Sequence, residues 1–187
     1  MMESSSFLSP ILQTIPTELK EKSHFVLWRS EIRDGKATKV PYQANGQHAK
    51  SNDPATWTSF PEASKALSNG GNFDGIGFVL SSSDNFTGID LDKCRDPQTG
   101  TIEPWALSII KGINSYTEIS PSGTGIRIFV KDAQLPEHGR KKGKIEIYES
   151  GRYLTLTGHL VEGTPSGIEG RQDQVLRLHK AVFDQKP

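Results

Sequence analysis

In the segment Phe86-Thr87-Gly88-Ile89-Asp90-Leu91-Asp92, two acids alternate with two large aliphatic residues. A strand sends successive side chains to opposite faces, so Ile89 and Leu91 are expected to enter a core while Asp90 and Asp92 share the other face. Two carboxylates on one face repel each other unless a cation lies between them. Hard divalent ions such as Mg²⁺ take oxygen ligands, commonly one or two carboxylates together with substrate phosphates, and such a pair can supply them. The spacing also fits acids that have passed the strand end and serve as turn or capping residues in Asp90-Leu91-Asp92-Lys93. Taken alone, the pair leaves both readings open.

Around this segment the chain reads as an α+β fold, with mixed or antiparallel sheets flanked by helices. The run Phe25-Val26-Leu27-Trp28-Arg29 predicts a buried strand. Asp34-Gly35-Lys36 is a hairpin turn signal, and residues 38–42 return as a second strand, with Pro41 placing that strand at a sheet edge or falling at its end. Residues 75–80 and 86–92 are expected to form another hairpin across the polar stretch 81–85. Further strands are expected at 115–119, 125–130, 144–148 and 153–157. Helical spacing of apolar residues predicts helices after Pro16-Thr17, over about 60–67, over 102–113 and over 172–183.

At 187 residues the chain fits one domain, and Lys plus Arg equals Asp plus Glu at 22 each. No global basic field advertises nucleic-acid binding, so any such contact is expected from local patches, Lys36 to Lys39 and Arg140 to Lys144. No run approaches the ~20 apolar residues of a membrane span. The lone Cys94 cannot form an internal disulfide, and with five scattered histidines it offers no Cys/His zinc cluster, which suits a reducing, cytoplasmic setting. Met1 to Pro10 is serine-rich without the features of a secretory signal and reads as a frayed or weakly docked lead-in.

Three more constellations carry chemistry. Ser120-Pro121-Ser122-Gly123-Thr124-Gly125 is a tight loop whose backbone N–H groups and hydroxyls suit an anion, and Arg127 follows with a fork of donors for phosphate oxygens. An ordinary hairpin turn with an exposed arginine fits the same residues. Lys144-Ile145-Glu146-Ile147-Tyr148 alternates strictly, so Glu146 faces away from Ile145 and Ile147. It becomes a third carboxylate of a metal site if its strand lies beside that of Asp90 and Asp92, and is otherwise an exposed strand glutamate. Arg152 at the entry and His159 at the exit of the next strand are candidates for phosphate contact, and Tyr153 is as well suited to core packing as to stacking on a base.

In this order along the chain, the motifs resemble the archaeo-eukaryotic primase superfamily, most nearly the primase-polymerase domains at the N-terminus of phage and plasmid replication proteins. The resemblance covers residues 25–159 and includes Lys39-Val40-Pro41-Tyr42, Ala49, Asn52-Asp53-Pro54-Ala55-Thr56-Trp57 and Gly75-Ile76-Gly77-Phe78. It implies an RRM-like catalytic core plus an N-terminal αβ module. Residues 1–22 would be a lead-in with a short helix, and 23–187 the catalytic domain, divided into 23–80 and 81–187. Two Mg²⁺ or Mn²⁺ ions would be held by Asp90, Asp92 and Glu146. Ser120, Ser122, Gly123, Thr124, Gly125, Arg127, Arg152, His159 and Lys39 would contact the nucleotide. Many members carry histidine where this chain has Arg127, which cannot titrate near neutrality.

The implied activity is template-dependent nucleotidyl transfer, as DNA polymerase, primer synthesis or both, in replication of a phage, plasmid or other mobile element. Substrates would be nucleoside triphosphates and single-stranded or primed DNA, in a bacterial or archaeal host's cytoplasm. A C-terminal accessory or helicase region would lie outside this chain. The competing classes are a metal-dependent nuclease or phosphodiesterase and a non-catalytic nucleotide- or nucleic-acid-binding module.

Overall fold

Asp34 and Gly35 both take positive φ, 51° and 74°. That is the backbone of a two-residue turn whose twist matches antiparallel strands, and it folds β1 (Phe25–Arg33) onto β2 (Lys36–Tyr42). The computed structural model describes residues 6–185. β1 also pairs with β3 (Gly75–Leu80), and β3 with β9 (Arg152–Leu156), giving a first, antiparallel sheet in the order β2-β1-β3-β9. Pro41 is thus on an edge strand, where its missing N–H costs no ladder bond.

The acid-bearing strand β4 (Phe86–Leu91) is central in a second sheet, flanked by β6 (Ile126–Lys131) and β8 (Ile145–Tyr148). β5 (Thr117–Ile119) and β10 (Glu169–Gly170) extend it beyond β6, and β7 (Lys141–Lys142) beyond β8. β10 pairs in parallel and the other strands antiparallel. The helices are α1 (Thr17–Lys20), α2 (Phe60–Ser68), α3 (Pro104–Ile113) and α4 (Gln172–Phe183). The fold class is mixed α+β with largely antiparallel sheets, as expected. None of the helices is long and apolar enough to cross a membrane among the described residues.

Alternation divides the second sheet's two faces between two cores. Ile89, Leu91, Ile126, Ile128, Val130 and Ile147 pack against Ala106, Ile110 and Ile113 of α3 and Val175 of α4. Phe86 and Phe129, on the opposite face, join Phe25, Leu27, Ile76, Phe78, Leu154 and Leu156 of the first sheet. Asp90 and Arg127 belong to this second face, two residues beyond Phe86-Thr87-Gly88 and before Phe129. The charged groups therefore start where the apolar contact between the sheets ends.

The expected hairpin of residues 75–80 with 86–92 is not formed, because β3 and β4 lie in different sheets. The turn between them is closed by Asp84, whose carboxylate accepts from the amides of Ser81 (3.1 Å) and Phe86 (2.8 Å), and each strand finds both partners elsewhere. Strand pattern and a polar connection are the same for a hairpin and for a crossing between sheets. The division at residue 80 likewise fails to follow the chain, since β9 returns to the first sheet. The lead-in is docked rather than frayed from Phe7 onward: the Leu8 amide donates to the Pro121 carbonyl and that of Ile11 to Thr157, both at 2.8 Å, and Ile15 and Leu19 are core residues. Residues 1–5 of that expectation lie outside the described residues. The two-residue strands β7 and β10 were too short for any periodicity to announce.

Gly88 lets the sheets meet at the acid strand. A Cβ there would stand 2.2 Å from Leu154 Cδ1 and 3.2 Å from Leu80 Cδ1. Gly88→Ala is expected to destabilise the domain by about 1–3 kcal/mol, as overpacking of a filled core does. Urea unfolding measures this, and an unchanged midpoint would contradict the tight approach of β9 to β4.

Candidate active site

Registers across the second sheet place charged residues in one row. Glu118 on β5 is opposite Arg127 on β6, Arg127 opposite Asp90 on β4, Asp90 opposite Glu146 on β8, and Glu146 opposite Lys141 on β7. Directly opposed residues have side chains on the same face, with Cβ atoms about 5 Å apart. The row thus reads acid, base, acid, acid, base. Its one like-charge neighbour pair is Asp90 and Glu146, and such a pair costs up to about 1 kcal/mol unless a cation screens it.

Side-chain cations serve the outer ends of that pair. Arg127 Nε donates to Asp90 Oδ1 at 3.2 Å, and Lys141 Nζ to Glu146 Oε1 at 2.7 Å. Arg127 is 9% exposed and its Nη1 donates to the Thr155 carbonyl at 2.7 Å, so the guanidinium ties the row to the first sheet. Two of its five N–H donors are thus committed to protein. Asp92 lies just past the strand end, its amide donating to the Lys144 carbonyl at 2.8 Å. Its exposed carboxylate has no hydrogen-bond or ion-pair partner among the described residues. The pair-sharing face expected of Asp90 and Asp92 therefore extends one residue past the formal strand, held by a ladder-like bond to β8's approach.

The oxygens of Asp90, Asp92 and Glu146 do not converge as a closed cage. The group of metal-type ligands that does fall within 4.8 Å is His138, His179 and Asp184, at the far end of α4. There the His179 Nε2–H already donates to the carbonyls of His138 (2.8 Å) and Gly139 (3.0 Å), and His138 Nε2 pairs with Asp184 at 2.9 Å. The acid row is the more open arrangement. An uncommitted Asp92 next to an opposed Asp90 and Glu146 fits the oxygen-rich, incompletely enclosed site that Mg²⁺ or Mn²⁺ takes together with substrate phosphates.

The Ser120 to Gly125 loop turns inward on itself. The Gly123 amide donates to the Ser120 carbonyl (2.9 Å) and that of Gly125 to Ser120 Oγ (3.0 Å), while Ser122 Oγ and Thr124 Oγ1 are 2.8 Å apart. The expected cradle of free backbone N–H groups is thus largely consumed within the turn, leaving the Ser122 and Thr124 hydroxyls nearest solvent. The loop also braces the acid strand: the Thr124 carbonyl accepts from the amides of Cys94 (2.9 Å) and Arg95 (3.0 Å), and a Cβ on Gly125 would lie 3.0 Å from the Leu91 carbonyl oxygen. Burial, followed by the nearby Asp90 carboxylate, pushes the Cys94 thiol up to about 11, which keeps it protonated and inert.

Lys39 comes to the row from the first sheet. Burial and then the positive charge of Arg127 hold its ammonium below the ordinary lysine range, while Asp90 and Asp92 pull it back. Its Nζ has no hydrogen bond or ion pair among the described residues. Tyr153 Oη donates to the Lys39 carbonyl, fixing that stretch of β2. Thr155 Oγ1 and Trp28 Nε1, on the same face of the sheet, are also buried without a partner. Arg152 lies over the Tyr148 ring at 5.0 Å, and the His159 Nε2–H is taken up by the Ser9 carbonyl at 2.8 Å.

Glu118 was not anticipated. Fully buried, it accepts from the Thr157 and Gly158 amides, both at 2.9 Å, and from Tyr116 Oη at 2.7 Å. Burial pushes its carboxyl above the usual range, and the three donors with Arg127 behind them draw it down. The signal available was an acid inside the strand Ser115-Tyr116-Thr117-Glu118-Ile119, with Tyr116 at the alternate position.

A scan against protein-family models gives no match. The DNA primase-polymerase of Nitratiruptor phage NrS-1 is 42% identical to this chain over 152 residues, 78% of its length. The chain belongs to the phage primase-polymerase type of domain. It spans 20% of the length of that phage relative. The domain is mixed α+β, with Asp90 on the middle strand of its second sheet and Glu146 opposite it on β8.

Glu118→Gln would set an amide NH₂ against backbone or Tyr116 donors and is expected to destabilise the domain by about 1–3 kcal/mol, the usual cost of leaving a buried hydrogen-bonding group unmet. Chemical denaturation checks it, and wild-type stability in the variant would remove Glu118 from the bridge between β5 and β9.

Proposed function

We propose that this primase-polymerase domain catalyses template-dependent nucleotidyl transfer onto DNA, with the acid row of β4 and β8 as its metal-binding centre. The observation that carries the reading is the register of Asp90 against Glu146, with Arg127 and Lys141 at its flanks and Asp92 uncommitted beside it. The 42% identity to the phage DNA primase-polymerase supports the same chemistry.

Asp90, Asp92 and Glu146 would hold Mg²⁺ or Mn²⁺ through carboxylate oxygens. The ions, when bound, supply positive charge to the phosphoryl oxygens and lower the pKa of the attacking hydroxyl. In the transfer, the primer 3′ oxygen bonds to the α-phosphorus as the bond to the leaving pyrophosphate breaks. The domain's own side chains position and neutralise. Arg127, bonded to Asp90 and to the Thr155 carbonyl, holds the Asp90 carboxylate in place. Lys39, a desolvated ammonium with no hydrogen bond or ion pair among the described residues, would receive the polyphosphate. DNA and nucleoside triphosphates are the substrates on this reading.

A primer-template extension assay with labelled nucleotides, run with each metal, tests it. Elongation is expected from the wild type, and Asp90→Ala and Asp92→Ala should each lower it by at least about a hundredfold; Asp92→Ala should unfold as the wild type does, whereas Asp90→Ala, which leaves the nearly buried Arg127 without its carboxylate, should also lose stability. Shortening of the primer instead of elongation would mean a nuclease, and full extension by the double alanine variant would remove the acids from catalysis.

The state of Lys39 gives a pH dependence. Its positive charge favours polyphosphate binding below its pKa and is lost as pH rises through it. Because that pKa lies below the ordinary 10.5, the nucleotide KM is expected to climb at a lower alkaline pH than an ordinary lysine would give. Lys39→Arg, which keeps its charge, should flatten the rise. An identical profile in both proteins would exclude Lys39 as the titrating group.

A further inference from the structure

The lead-in from Phe7 to Thr14 is a strap laid against the Ser120 to Gly125 loop and the residues that follow β9. The Leu8 amide donates to the Pro121 carbonyl, that of Ile11 to Thr157, and His159 Nε2 to the Ser9 carbonyl, each at 2.8 Å. Thr14 Oγ1 donates to the Gly158 carbonyl. Gly158 is shaped for this contact: its φ is +68°, and a Cβ on it would stand 2.1 Å from the Ile11 carbonyl oxygen. The strap thereby fixes the position of Phe7, whose ring meets that of Trp28 edge-on at 5.1 Å and 81°.

The Lys39 ammonium lies 5.7 Å from the Phe7 ring centroid and 5.9 Å from that of Trp28. Both are within the range in which a ring's negative face attracts a cation, and the attraction grows when the cation is desolvated, as Lys39 is. Trp28 is immobilised in turn, since Gly75 has no Cβ to displace its indole, 2.6 Å from where that atom would be. A lysine with four flexible methylenes and no hydrogen bond would otherwise spend much of its time in solvent. We propose that Phe7 is a positioning residue that, with Trp28, holds the Lys39 ammonium at the acid row, so that docking of the N-terminal strap sets the domain's affinity for the nucleotide polyphosphate. This inference rests on the nucleotidyl-transfer reading for the identity of the anion, though not for the contact itself.

The test uses the full chain as wild type, Phe7→Ala, Phe7→Trp, Lys39→Gln and the double variant Phe7→Ala/Lys39→Gln. The first readout is acetylation of Lys39 by acetic anhydride, followed by peptide mass spectrometry, which needs no activity. The second is KM and kcat for nucleoside triphosphate in primer extension. Phe7→Ala is expected to speed Lys39 acetylation severalfold and raise KM by about three- to tenfold with a smaller change in kcat, and Phe7→Trp to restore both. In the Lys39→Gln background Phe7→Ala should raise KM no further. Unchanged Lys39 acetylation in Phe7→Ala would overturn the proposal. So would an equal rise in KM with and without Lys39, because a merely structural role for the strap predicts that additivity. A wild type that adds no nucleotide, while Lys39 acetylation still follows Phe7, would overturn the nucleotidyl-transfer reading and the affinity role together but uphold the contact.

Discussion

The contact on which the site depends is the one between Asp90 and Arg127, opposed residues on β4 and β6 joined at 3.2 Å. A nearly buried guanidinium needs partners, and Arg127 finds them in Asp90 on its own sheet and the Thr155 carbonyl on the other. One side chain therefore fixes both the direction of the central acid and the angle at which the sheets meet. Glu118 extends the same device, with its carboxylate opposite Arg127 in register and bonded to the amides at the end of β9. The apolar rows of Phe86 and Phe129 seal the sheets together, and the polar row begins one step further out. Asp90 and Glu146 are left adjacent with their cations on the outside. On the proposed reading, that like-charge pair is where a divalent metal would be held.

Much of this was legible in the sequence because alternation in a strand is local information. Ile89 and Leu91 against Asp90, and Ile145 and Ile147 against Glu146, fixed the face of each acid before any strand pairing was known. The Asp34-Gly35 turn and the edge position of Pro41 follow from the backbone preferences of those residue types. What alternation cannot tell is which strand lies beside which. The second hairpin was expected because residues 75–80 and 86–92 are close in sequence, whereas Asp84 closes their turn in a way that sends β4 to the other sheet. The return of β9 to β3 depends on long-range pairing and on the small residues Gly77 and Gly88, which admit Tyr153 and Leu154.

The same limit explains the residues whose roles shifted. Ser120 to Gly125 has the composition of an anion-binding loop, but composition does not say whether the amides face outward. Here they bond within the turn, and the loop holds the end of the acid strand through Thr124. His159 is turned toward Ser9 by a strap that begins some 150 residues earlier, a contact no local pattern contains. Lys39 was read as a phosphate contact from its motif. The structure adds a physical reason for that reading: a desolvated cation beside two aromatic rings, without a protein anion of its own.

On the proposed reading, divalent metal and nucleotide meet at the acid row of β4 and β8. Anomalous diffraction from crystals grown with Mn²⁺ and a non-hydrolysable nucleoside triphosphate tests it. Mn²⁺ density is expected against the carboxylates of Asp90 and Asp92, with the triphosphate extending toward Lys39. Mn²⁺ density confined to His138, His179 and Asp184, with the acid row still closed by Arg127 and Lys141, would contradict it.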